Sequence, residues 1–346
     1  MSMSAFKYIS FLKENRTREK AEDIYNQRIS DARDVFDMFK SEFIERDCPI
    51  CGSGNKNELP RFDWRYGVVL CEACQTMYVD PCPSFNALNY YYNECSCNIK
   101  LGTLLRSRAG KKGIILSERS ALVLNLIEKM LLKRNSIKVL EIGCNSGAFL
   151  QEVNESLKKY QIDLVSLVGI DIDKNATDNP VSEEITLFHS SAEDFVKDRV
   201  EEFDLILHFK LIEHLFDPYT FMIAVRDLLK NNGATYFHTP NAIGMDNRAL
   251  GYNDFRPLAH GIFPPMHLQA FTTQNILHFL LRAGLKLGEI TTPGNFDVDI
   301  VKQFLLPEAN SVFSDIHKLD EECLGVFQAW IKELGASSHL SVLAWK

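Results

Sequence analysis

The sequence lacks the features that mark membrane and secreted proteins. Its apolar runs fall far short of the ~20 residues that a bilayer-spanning helix needs. The first residues contain no apolar stretch of useful length and no small-residue cleavage site, so we expect no secretory signal. Internal repeats and low-complexity tracts are also missing. These absences predict a soluble folded protein with no membrane helix, and we expect a cytoplasmic location.

The composition is that of a globular protein. The 346 residues are 46% hydrophobic and 24% charged, which excludes disordered and fibrous classes. At ~100 to 200 residues per domain, this length predicts two units. The net charge of -8 argues against a nucleic-acid binder over the whole surface. Residues 47–140 nevertheless carry 13 basic and 8 acidic side chains, a balance of +5, whereas residues 141–346 balance at -13. The uneven charge indicates a domain boundary.

Four of the nine cysteines have metal-ligand spacing. Cys48 and Cys51 form one C-x2-C pair, and Cys71 and Cys74 form a second pair after nineteen residues. Without a secretory signal, metal binding or burial explains cysteines better than disulfides do. Two such pairs complete the closed tetrahedral shell of structural zinc, which leaves no open position for catalysis. We therefore predict a zinc-folded unit of ~35 residues, too small to build its own core. The cysteines outside this frame receive no assigned role: Cys82, Cys95 and Cys97.

Apolar periodicity predicts an α/β protein. An amphipathic helix is expected over 18–43, and packing on its own chain is favoured over a dimer seam. After it, strands and helices alternate, which predicts a mostly parallel sheet covered on both faces. The predicted strands are 139–142, 164–170, 185–188, 203–209, 234–238 (opened by an Asn-Asn-Gly turn), 285–291 and 339–345. The predicted helices are 117–133, 148–160, 191–196, 219–229, 272–283 and 315–334.

A glycine turn follows the first of these strands. Gly143 and Gly147 would let the backbone approach a ligand and aim the following helix N-terminus at it. The turn is not a phosphate-binding P-loop and is an incomplete dinucleotide fingerprint. Asp171, at the end of the next strand, can accept both hydroxyls of a ribose. The glycine turn and Asp171 together predict a cofactor that contains adenosine. Nicotinamide dinucleotides and S-adenosylmethionine are the two candidates.

The series of motifs resembles the class I S-adenosylmethionine-dependent methyltransferases over about residues 117–346. The matching motifs occur in the family's order: VLEIGCNSGAFL, VGIDID, SSAEDF, FDLILHFKLIEHLFDP, YFHTPN, PPMHLQAFTTQNILHFLLRAGL and HLSVLAWK. A dehydrogenase would need neither Glu141 before the first glycine nor a Glu-His pair after the fourth strand. The resemblance implies a Rossmann-like, mostly parallel seven-stranded sheet with an antiparallel last strand.

The resemblance also assigns cofactor residues. The methionine part is expected at Glu141, Gly143, Cys144, Asn145 and Gly147, and the ribose at Asp171. The adenine edge is expected at Ala192 and Glu193, and the strand end formed by His208, Phe209 and Lys210 would close over the methionine part. Ile172 is a further expected cofactor contact. Two departures stand out. Asn145 occupies a position where glycine is frequent, and thirty positions separate Glu141 from Asp171, more than usual.

The two C-x2-C pairs make the family resemblance more specific. Together with the YVDP run at 78–81 and the tyrosines at 90–92, they are similar to bacterial methyltransferases that carry an N-terminal zinc module and modify sugars. The expected organisation is a helical extension at 1–46, a zinc-binding module with its connecting segment at 47–116, and a methyltransferase domain at 117–346.

Histidines are the candidate bases for methyl transfer. His214 follows Glu213 beyond the fourth strand, at the edge where ligands bind in open parallel sheets, and we predict it as general base. Glu213 would either orient its ring or turn away into the start of the next helix, and His267 is the rival base. Further candidates nearby are His238, Asn241 and His260. Some relatives bind magnesium through Glu-x-x-Glu-His, but Lys210 replaces the first member here, so that site is not expected.

Two other features receive a structural interpretation. The tyrosines at 90–92 are expected to pack, in preference to recognising substrate. The basic run at 106–112 is read as a solvated loop, with a grip on a substrate diphosphate as the alternative.

Three function classes remain. The leading hypothesis is an enzyme that methylates oxygen or carbon of a small molecule, a sugar or nucleotide sugar. An RNA-modifying enzyme is disfavoured by the acidic catalytic part and by the absence of an RNA-binding signature. A non-catalytic binding protein is disfavoured by the presence of Glu141, Asp171 and the Glu213-His214 pair. A homodimer stays open.

Overall fold

A computed structural model describes residues 18–99, 114–251, 261–295, 297–305 and 313–346. The basic run at 106–112 and His260 lie outside the described residues. None of the helices in those described ranges has the length and apolar character to cross a bilayer.

The N-terminal part is built around a small antiparallel sheet. Its strands, in the order β1-β2-β3, are β1 (Lys56–Leu59), β2 (Val68–Cys71) and β3 (Met77–Val79). Helix α1 (Arg18–Phe39) precedes the sheet, and helix α2 (Phe85–Glu94) follows it. We call the segment from Cys48 to Glu94 the cysteine module. Strands this short cannot enclose a core alone, which agrees with the expectation that this segment needs other support.

The second part is one seven-stranded sheet, which confirms the predicted fold class. Its strands are β4 (Ile137–Ile142), β5 (Val165–Asp171), β6 (Thr186–His189), β7 (Phe203–Phe209), β8 (Leu229–Pro240), β9 (Lys286–Thr291) and β10 (His339–Trp345). The spatial order is β6-β5-β4-β7-β8-β10-β9. The first five strands run parallel, and β10 is antiparallel to both of its neighbours. The antiparallel strand inserted near the edge is the one expected from the terminal HLSVLAWK.

Helices cover both faces of this sheet. The helices described in the second part are α3 (Ile114–Leu131), α4 (Ala148–Lys159), α5 (Lys174–Asp178), α6 (Ala192–Phe195), α7 (Pro218–Leu228), α8 (Met245–Leu250), α9 (Asn275–Ala283), α10 (Asp297–Phe304) and α11 (Glu321–Glu333), of which α8, α10 and α11 pack on one another. One apolar cluster joins α3 and α4 to one face, and a second joins α6, α7 and α9 to the other. Alternate strand residues therefore face different helices, as the period of two requires.

A third apolar cluster joins the two parts. It contains Ala32 and Val35 of α1, aromatic residues of the cysteine module, and Ile262 to Ala270 of the second part. Trp64 donates a hydrogen bond from Nε1 to the Pro264 carbonyl at 3.0 Å. The amphipathic helix thus packs on its own chain, as the favoured interpretation of the sequence expects.

Two predicted elements are wrong in detail. The helix expected over 315–334 is a 3-10 turn, Ser314–Lys318, followed by the separate helix α11. Asp320 causes the break because its side chain caps α11 by accepting from the Cys323 N–H at 2.8 Å. The Asn-Asn-Gly run does not open β8 but lies inside it, where the register against β7 shifts and Asn232 has a φ of 61°.

Candidate active site

The glycine turn after β4 has the conformation that its sequence suggests. Gly143 and Gly147 have φ values of 76° and 81°, in the left-handed region, and a Cβ at Gly147 would lie 3.3 Å from the Leu187 side chain. Asn145 is also left-handed, with a φ of 52°, which asparagine tolerates better than most residues. The departure from glycine at this position therefore leaves the turn intact. Gly143 and Asn145 are exposed, so their backbone is open to a ligand.

Cys144 points away from the exposed side of the turn. Its thiol is buried against β5, where a Cβ on Gly169 would approach it to 2.7 Å. Gly169 therefore makes room for the turn to lie on the strand, a requirement that the sequence analysis missed. Cys144 can therefore take its predicted part in cofactor binding only through its backbone.

Glu141 is buried at the end of β4. It is 5% exposed, and its Oε2 has no hydrogen-bond partner among the described residues. Burial raises the pKa of Glu141 to about 8, while the nearby Arg119 acts in the opposite direction. A buried carboxylate oxygen without a donor is costly unless a ligand supplies one.

Arg119, on α3, is a charged residue of this edge that the sequence analysis missed. Its guanidinium lies 4.9 Å from the ring centroid of Phe209, at the end of β7. Its charge also acts on Lys210, His238 and Glu141. A guanidinium that acts on the buried Glu141 carboxyl offers one donor group and one acceptor group, a pattern that suits the carboxylate and amino group of an amino-acid moiety.

Asp171 lies where the ribose contact was predicted. β4 and β5 pair with Ile142 opposite Ile170, so Asp171 follows directly at the sheet edge despite the long spacing in sequence. Its Oδ2 accepts from the Asn145 N–H at 2.7 Å, and its Oδ1 accepts from the Asp173 N–H at 2.8 Å. Each carboxylate oxygen keeps a further lone pair for a hydroxyl.

Three further predicted cofactor contacts lie beside Asp171: Ile172, and Ala192 and Glu193, which were predicted for the adenine edge. Ile172 is 77% exposed, an unusual exposure for isoleucine that leaves its side chain free to cover a flat ring. Ala192 and Glu193 begin α6, which Ser191 caps by accepting from the Asp194 N–H at 3.1 Å. The structure thus gathers all three at the same edge.

The side chain of His208 does not point into the candidate site. The ring stacks on Phe237 at a centroid distance of 4.5 Å and also contacts Phe221, on the face covered by α7. Neither ring nitrogen has a partner among the described residues, and burial lowers the pKa of His208 to about 3. The alternation of β7 explains this, because Phe209 faces the Arg119 side while His208 faces the opposite side. Lys210 follows with a left-handed φ of 55°, and its N–H donates to the His238 carbonyl at 2.9 Å.

Glu213 and His214 form a 3-10 turn directly beyond β7. Glu213 is 1% exposed; its Oε2 accepts from the Thr239 hydroxyl at 3.0 Å, and its Oε1 has no partner in the described part of the chain. His214 Nε2 lies 3.9 Å from that Oε1. Burial lowers the pKa of His214, so the ring is neutral at pH 7.

The other ring nitrogen of His214 is tied to the protein. Nδ1 lies 2.9 Å from the Met266 carbonyl and 2.9 Å from the Tyr92 hydroxyl. A carbonyl only accepts, so the Met266 contact is a hydrogen bond when the proton is on Nδ1. That tautomer leaves the lone pair on Nε2, on the Glu213 side.

His267 and Tyr92 complete the cluster. The rings of His267 and His214 meet edge to face at 4.6 Å, so the two rival bases belong to one group. Tyr92 donates to the Met266 carbonyl at 3.1 Å and contacts His214, which corrects the packing prediction for this member of the triplet. Tyr91 is fully buried and Tyr90 packs on Phe39, so packing holds for the other two.

The remaining candidates have structural partners. His238 Nε2 contacts the Tyr236 and Ser341 hydroxyls, each at 2.9 Å. Asn241 donates to the Ser337 carbonyl at 2.8 Å and thereby holds the start of β10. We assign neither to the cluster around His214.

The four predicted zinc ligands converge. Cys48 and Cys74 have sulfur atoms 3.6 Å apart, Cys51 and Cys71 have theirs 3.5 Å apart, and all four lie within 4.8 Å of one another. A hydrogen bond from the Cys48 thiol lowers the pKa of Cys74 to about 4. Four sulfur ligands at these separations fit the tetrahedral geometry of zinc.

The cysteine module is joined to the residues around His214. β3 pairs with the chain at 268–270: the Val79 N–H donates to the Leu268 carbonyl, and the Ala270 N–H donates to Met77, both at 2.9 Å. The Leu268 N–H donates in turn to the Glu213 carbonyl at 2.9 Å.

Side chains reinforce this junction from both directions. Arg46 donates from Nη2 to Leu268 and from Nη1 to the Phe216 carbonyl at 3.0 and 2.9 Å. On the other side, Asn275 donates to the Thr76 hydroxyl at 2.9 Å, and that hydroxyl lies 3.0 Å from the Cys74 sulfur. The cysteine cluster and the Glu213-His214 pair are therefore connected by continuous hydrogen bonds.

The sheet, its glycine turn and the acidic residues after β4 and β5 define a class I S-adenosylmethionine-dependent methyltransferase. Residues 115–290, about half of the chain, match the family described as Methyltransferase domain, and the chain belongs to this family.

Among curated proteins, the chain is similar to ubiquinone biosynthesis O-methyltransferases. It is 29% identical over 116 residues to the mitochondrial protein of Bos taurus, covering 31% of this chain and 30% of that protein. It is 27% identical over 126 residues to the protein of Bartonella quintana, covering 36% and 49%. The aligned segments span less than half the length of either relative.

This chain also resembles solved structures to which it has low sequence identity. A SAM dependent methyltransferase from Archaeoglobus fulgidus is 17% identical with a TM-score of 0.40, covering 66% of this chain and 94% of that one. Coclaurine N-methyltransferase is 14% identical with a TM-score of 0.39, covering 66% and 72%.

Proposed function

We propose that this chain transfers the methyl group of S-adenosylmethionine to a small-molecule acceptor, with His214 as the general base. The observation that carries the proposal is the environment of that ring: Nδ1 is held by the Met266 carbonyl, and Nε2 lies 3.9 Å from Glu213 Oε1. A neutral imidazole with an oriented lone pair is what a base near neutral pH requires.

The cofactor supplies an electrophilic methyl group on a sulfonium. In this proposal Asp171 binds the ribose hydroxyls, and the backbone at Gly143 to Gly147 approaches the methionine part. Glu141 accepts from the amino group, which would give its Oε2 a donor, and Arg119 binds the carboxylate. Ile172, Ala192 and Glu193 line the adenine.

His214 acts on the acceptor. Nε2 takes a proton from an acceptor hydroxyl or from a carbon beside a carbonyl, and the electron pair left behind forms the bond to the methyl carbon. S-adenosylmethionine, when bound, would supply the methyl carbon, and its sulfur would keep the electron pair of the carbon–sulfur bond and become neutral. Glu213 stabilises the imidazolium through Oε1, and Tyr92 with Met266 keeps the ring in place.

We propose a sugar or nucleotide sugar as the acceptor, with methylation at oxygen or carbon. The combination of a four-cysteine module with a Glu-His pair supports this choice. An intermediate of ubiquinone biosynthesis is the second candidate, favoured by the names of the relatives that the sequence matches. The two candidates differ in whether an aromatic hydroxyl or an aliphatic group loses the proton.

We propose one structural zinc bound by Cys48, Cys51, Cys71 and Cys74. The donor chemistry and the convergence of the four sulfurs within 4.8 Å support this assignment. The metal would fold residues 47–116 as a module on the methyltransferase domain at 117–346, and it would fix Tyr92 beside His214.

Calorimetry and product analysis test the function. We expect S-adenosylmethionine and S-adenosylhomocysteine to bind and NAD to give no heat. Mass spectrometry of mixtures with thymidine diphosphate sugars, or with catechols as stand-ins for the second candidate, identifies the methylated product. Tight binding of NAD without binding of S-adenosylmethionine would overturn the proposal.

A further inference from the structure

The backbone around Glu213 is held in place by the segment that follows Met266. The Glu213 carbonyl accepts from the Leu268 N–H at 2.9 Å. The buried Gln269 side chain donates from Nε2 to the Ile212 carbonyl at 2.8 Å and to the Leu215 carbonyl at 3.1 Å. These bonds fix the backbone of the turn, so the direction of the Glu213 carboxylate depends on its own side-chain contacts.

Thr239 supplies a side-chain contact of Glu213. It belongs to β8, lies opposite Leu340 of β10, and is 0% exposed. Its hydroxyl donates to Glu213 Oε2 at 3.0 Å. A hydrogen bond to a carboxylate is stronger than one between neutral groups. A donor on a closely packed strand therefore gives one oxygen of this carboxylate a fixed position.

The other carboxylate oxygen of Glu213 faces the proposed base. Oε1 is buried and has no hydrogen-bond partner among the described residues. It lies 3.9 Å from His214 Nε2, the nitrogen that would receive the proton. An unpartnered carboxylate oxygen in the interior is costly, whereas an imidazolium at this distance would balance its charge. The arrangement is therefore complementary to His214 in its protonated form.

Thr235 offers a comparison within the same strand. It lies four residues before Thr239 on β8, so both side chains are on the same face of the sheet. Thr235 is also 0% exposed, and its hydroxyl has no partner in the described part of the chain. The two threonines share strand, face and burial, and they differ in the bond to Glu213.

We propose that Thr239 is a positioning residue of the proposed base: its hydroxyl holds Glu213 Oε2 so that Oε1 faces His214 Nε2 and stabilises the imidazolium. This inference rests on the proposed function. Thr239 acts through Glu213 and touches neither the acceptor nor the cofactor. Four further groups act on the His214 ring and stay in place when Thr239 is substituted: Lys210 and Arg28 through their charges, and Tyr92 and His267 through contact.

The pKa of His214 tests the proposal without an acceptor. Long-range ¹H–¹⁵N spectra of histidine-labelled, zinc-loaded protein, recorded over a pH series, measure this pKa. Thr239→Val keeps the shape of the side chain and removes the hydroxyl. We expect it to lower the pKa of His214 by roughly 0.5 to 1 pH unit, because the carboxylate is no longer held toward the ring.

Two matched variants separate the hydroxyl from the fold of the strand. Thr239→Ser retains the hydroxyl and should keep the wild-type pKa of His214. Thr235→Val removes an unpartnered hydroxyl from the same face and should also leave that pKa unchanged. Thr239→Ala removes the hydroxyl without placing a methyl group against the carboxylate, and it serves if Thr239→Val does not fold.

Three results would overturn the proposal. They are a folded Thr239→Val or Thr239→Ala protein with the wild-type pKa of His214, a Thr239→Ser protein shifted as far as Thr239→Val, and a Thr235→Val protein with the same shift. Calorimetry keeps the proposed function separate. Failure of wild-type protein to bind S-adenosylmethionine would refute that function, whereas the pKa comparison between the threonine variants requires neither cofactor nor acceptor.

Discussion

The edge of the large sheet and the cysteine module hold their side chains by different means. β4 and β7 are almost wholly buried, and paired neighbours on both sides fix where Glu141 and Phe209 end up. The module has strands of three or four residues, and its four clustered thiols lie beside an apolar cluster that it shares with α1 and with residues 262–270. It nevertheless supplies Tyr92 to the group around His214. The proposed cofactor residues therefore lie on the large sheet, whereas one contact of the proposed base comes from the module that we propose to bind zinc.

Loss of the metal should have the largest effect. We expect Cys71→Ser with Cys74→Ser to contain no zinc and to unfold the module, because structural zinc contributes ~10 to 16 kcal/mol in small zinc-folded units. Metal analysis of protein purified without added zinc, together with thermal unfolding, measures this. Cys323→Ser, at an exposed cysteine on α11, is the matched control. Full zinc occupancy in the double variant would exclude the assignment.

Replacing the proposed general base should have the next largest effect. We expect His214→Ala to lower kcat by ~10²- to 10⁴-fold, the usual loss on removing a general base, with little change in S-adenosylmethionine affinity. His278→Ala, at an exposed position of α9, should behave as wild type. If His214→Ala turns over normally and His267→Ala is inactive, the neighbouring histidine is the base.

The cofactor contact at the sheet edge should have a moderate effect. Asp171→Ala removes a charged acceptor for the ribose hydroxyls and should weaken S-adenosylmethionine binding by roughly 1.5 to 3 kcal/mol. Calorimetry measures this directly. Asp163→Ala, before β5, provides a comparison outside the site. An unchanged affinity for S-adenosylmethionine would show that other residues bind the ribose hydroxyls.

Removing the contact between the cysteine module and the proposed base should have a smaller effect. Tyr92→Phe keeps the ring and removes the hydroxyl that contacts His214 and Met266, so we expect kcat to fall by ~2- to 10-fold, the value of one hydrogen bond. Tyr90→Phe, in the same triplet, should be silent. Equal effects of the two changes would show that the tyrosines only pack.

The pH profile should show the smallest effect near neutrality. Burial lowers the pKa of His214; Lys210 and Arg28 push it in the same direction, while Glu213 and the Met266 carbonyl oppose them. The base form therefore persists below pH 6.5, and kcat/KM should begin to fall only at more acidic pH. An acid limb centred above 6.5 would contradict this environment.

Patterns local in sequence predicted the sheet well. The bounds of β7 and β10 agree with the expected strands because both segments are mainly apolar and their sheet partners do not alter their ends. The glycine turn and Asp171 were likewise identified from local sequence patterns. The helix at 315–334 was wrong because one capping aspartate, Asp320, outweighs an apolar periodicity that continues across it.

The group around His214 depends on contacts that no local sequence pattern records. Tyr92 and His214 are separated by 122 positions, and β3 meets residues 268–270 across almost two hundred. Arg119 was missed because a single arginine in an apolar helix carries no spacing signal. The side chain of His208 was misplaced because the resemblance identified the strand end without its alternation.

The tautomer of His214 tests the link between the two regions most directly. Long-range ¹H–¹⁵N spectra of histidine-labelled protein, with His214→Ala used for assignment, report which ring nitrogen carries the proton. In zinc-loaded protein we expect the proton on Nδ1, facing the Met266 carbonyl, and we expect this preference to disappear when zinc is removed. An Nε2-protonated ring in the loaded protein, or the same Nδ1 tautomer after zinc removal, would contradict the account.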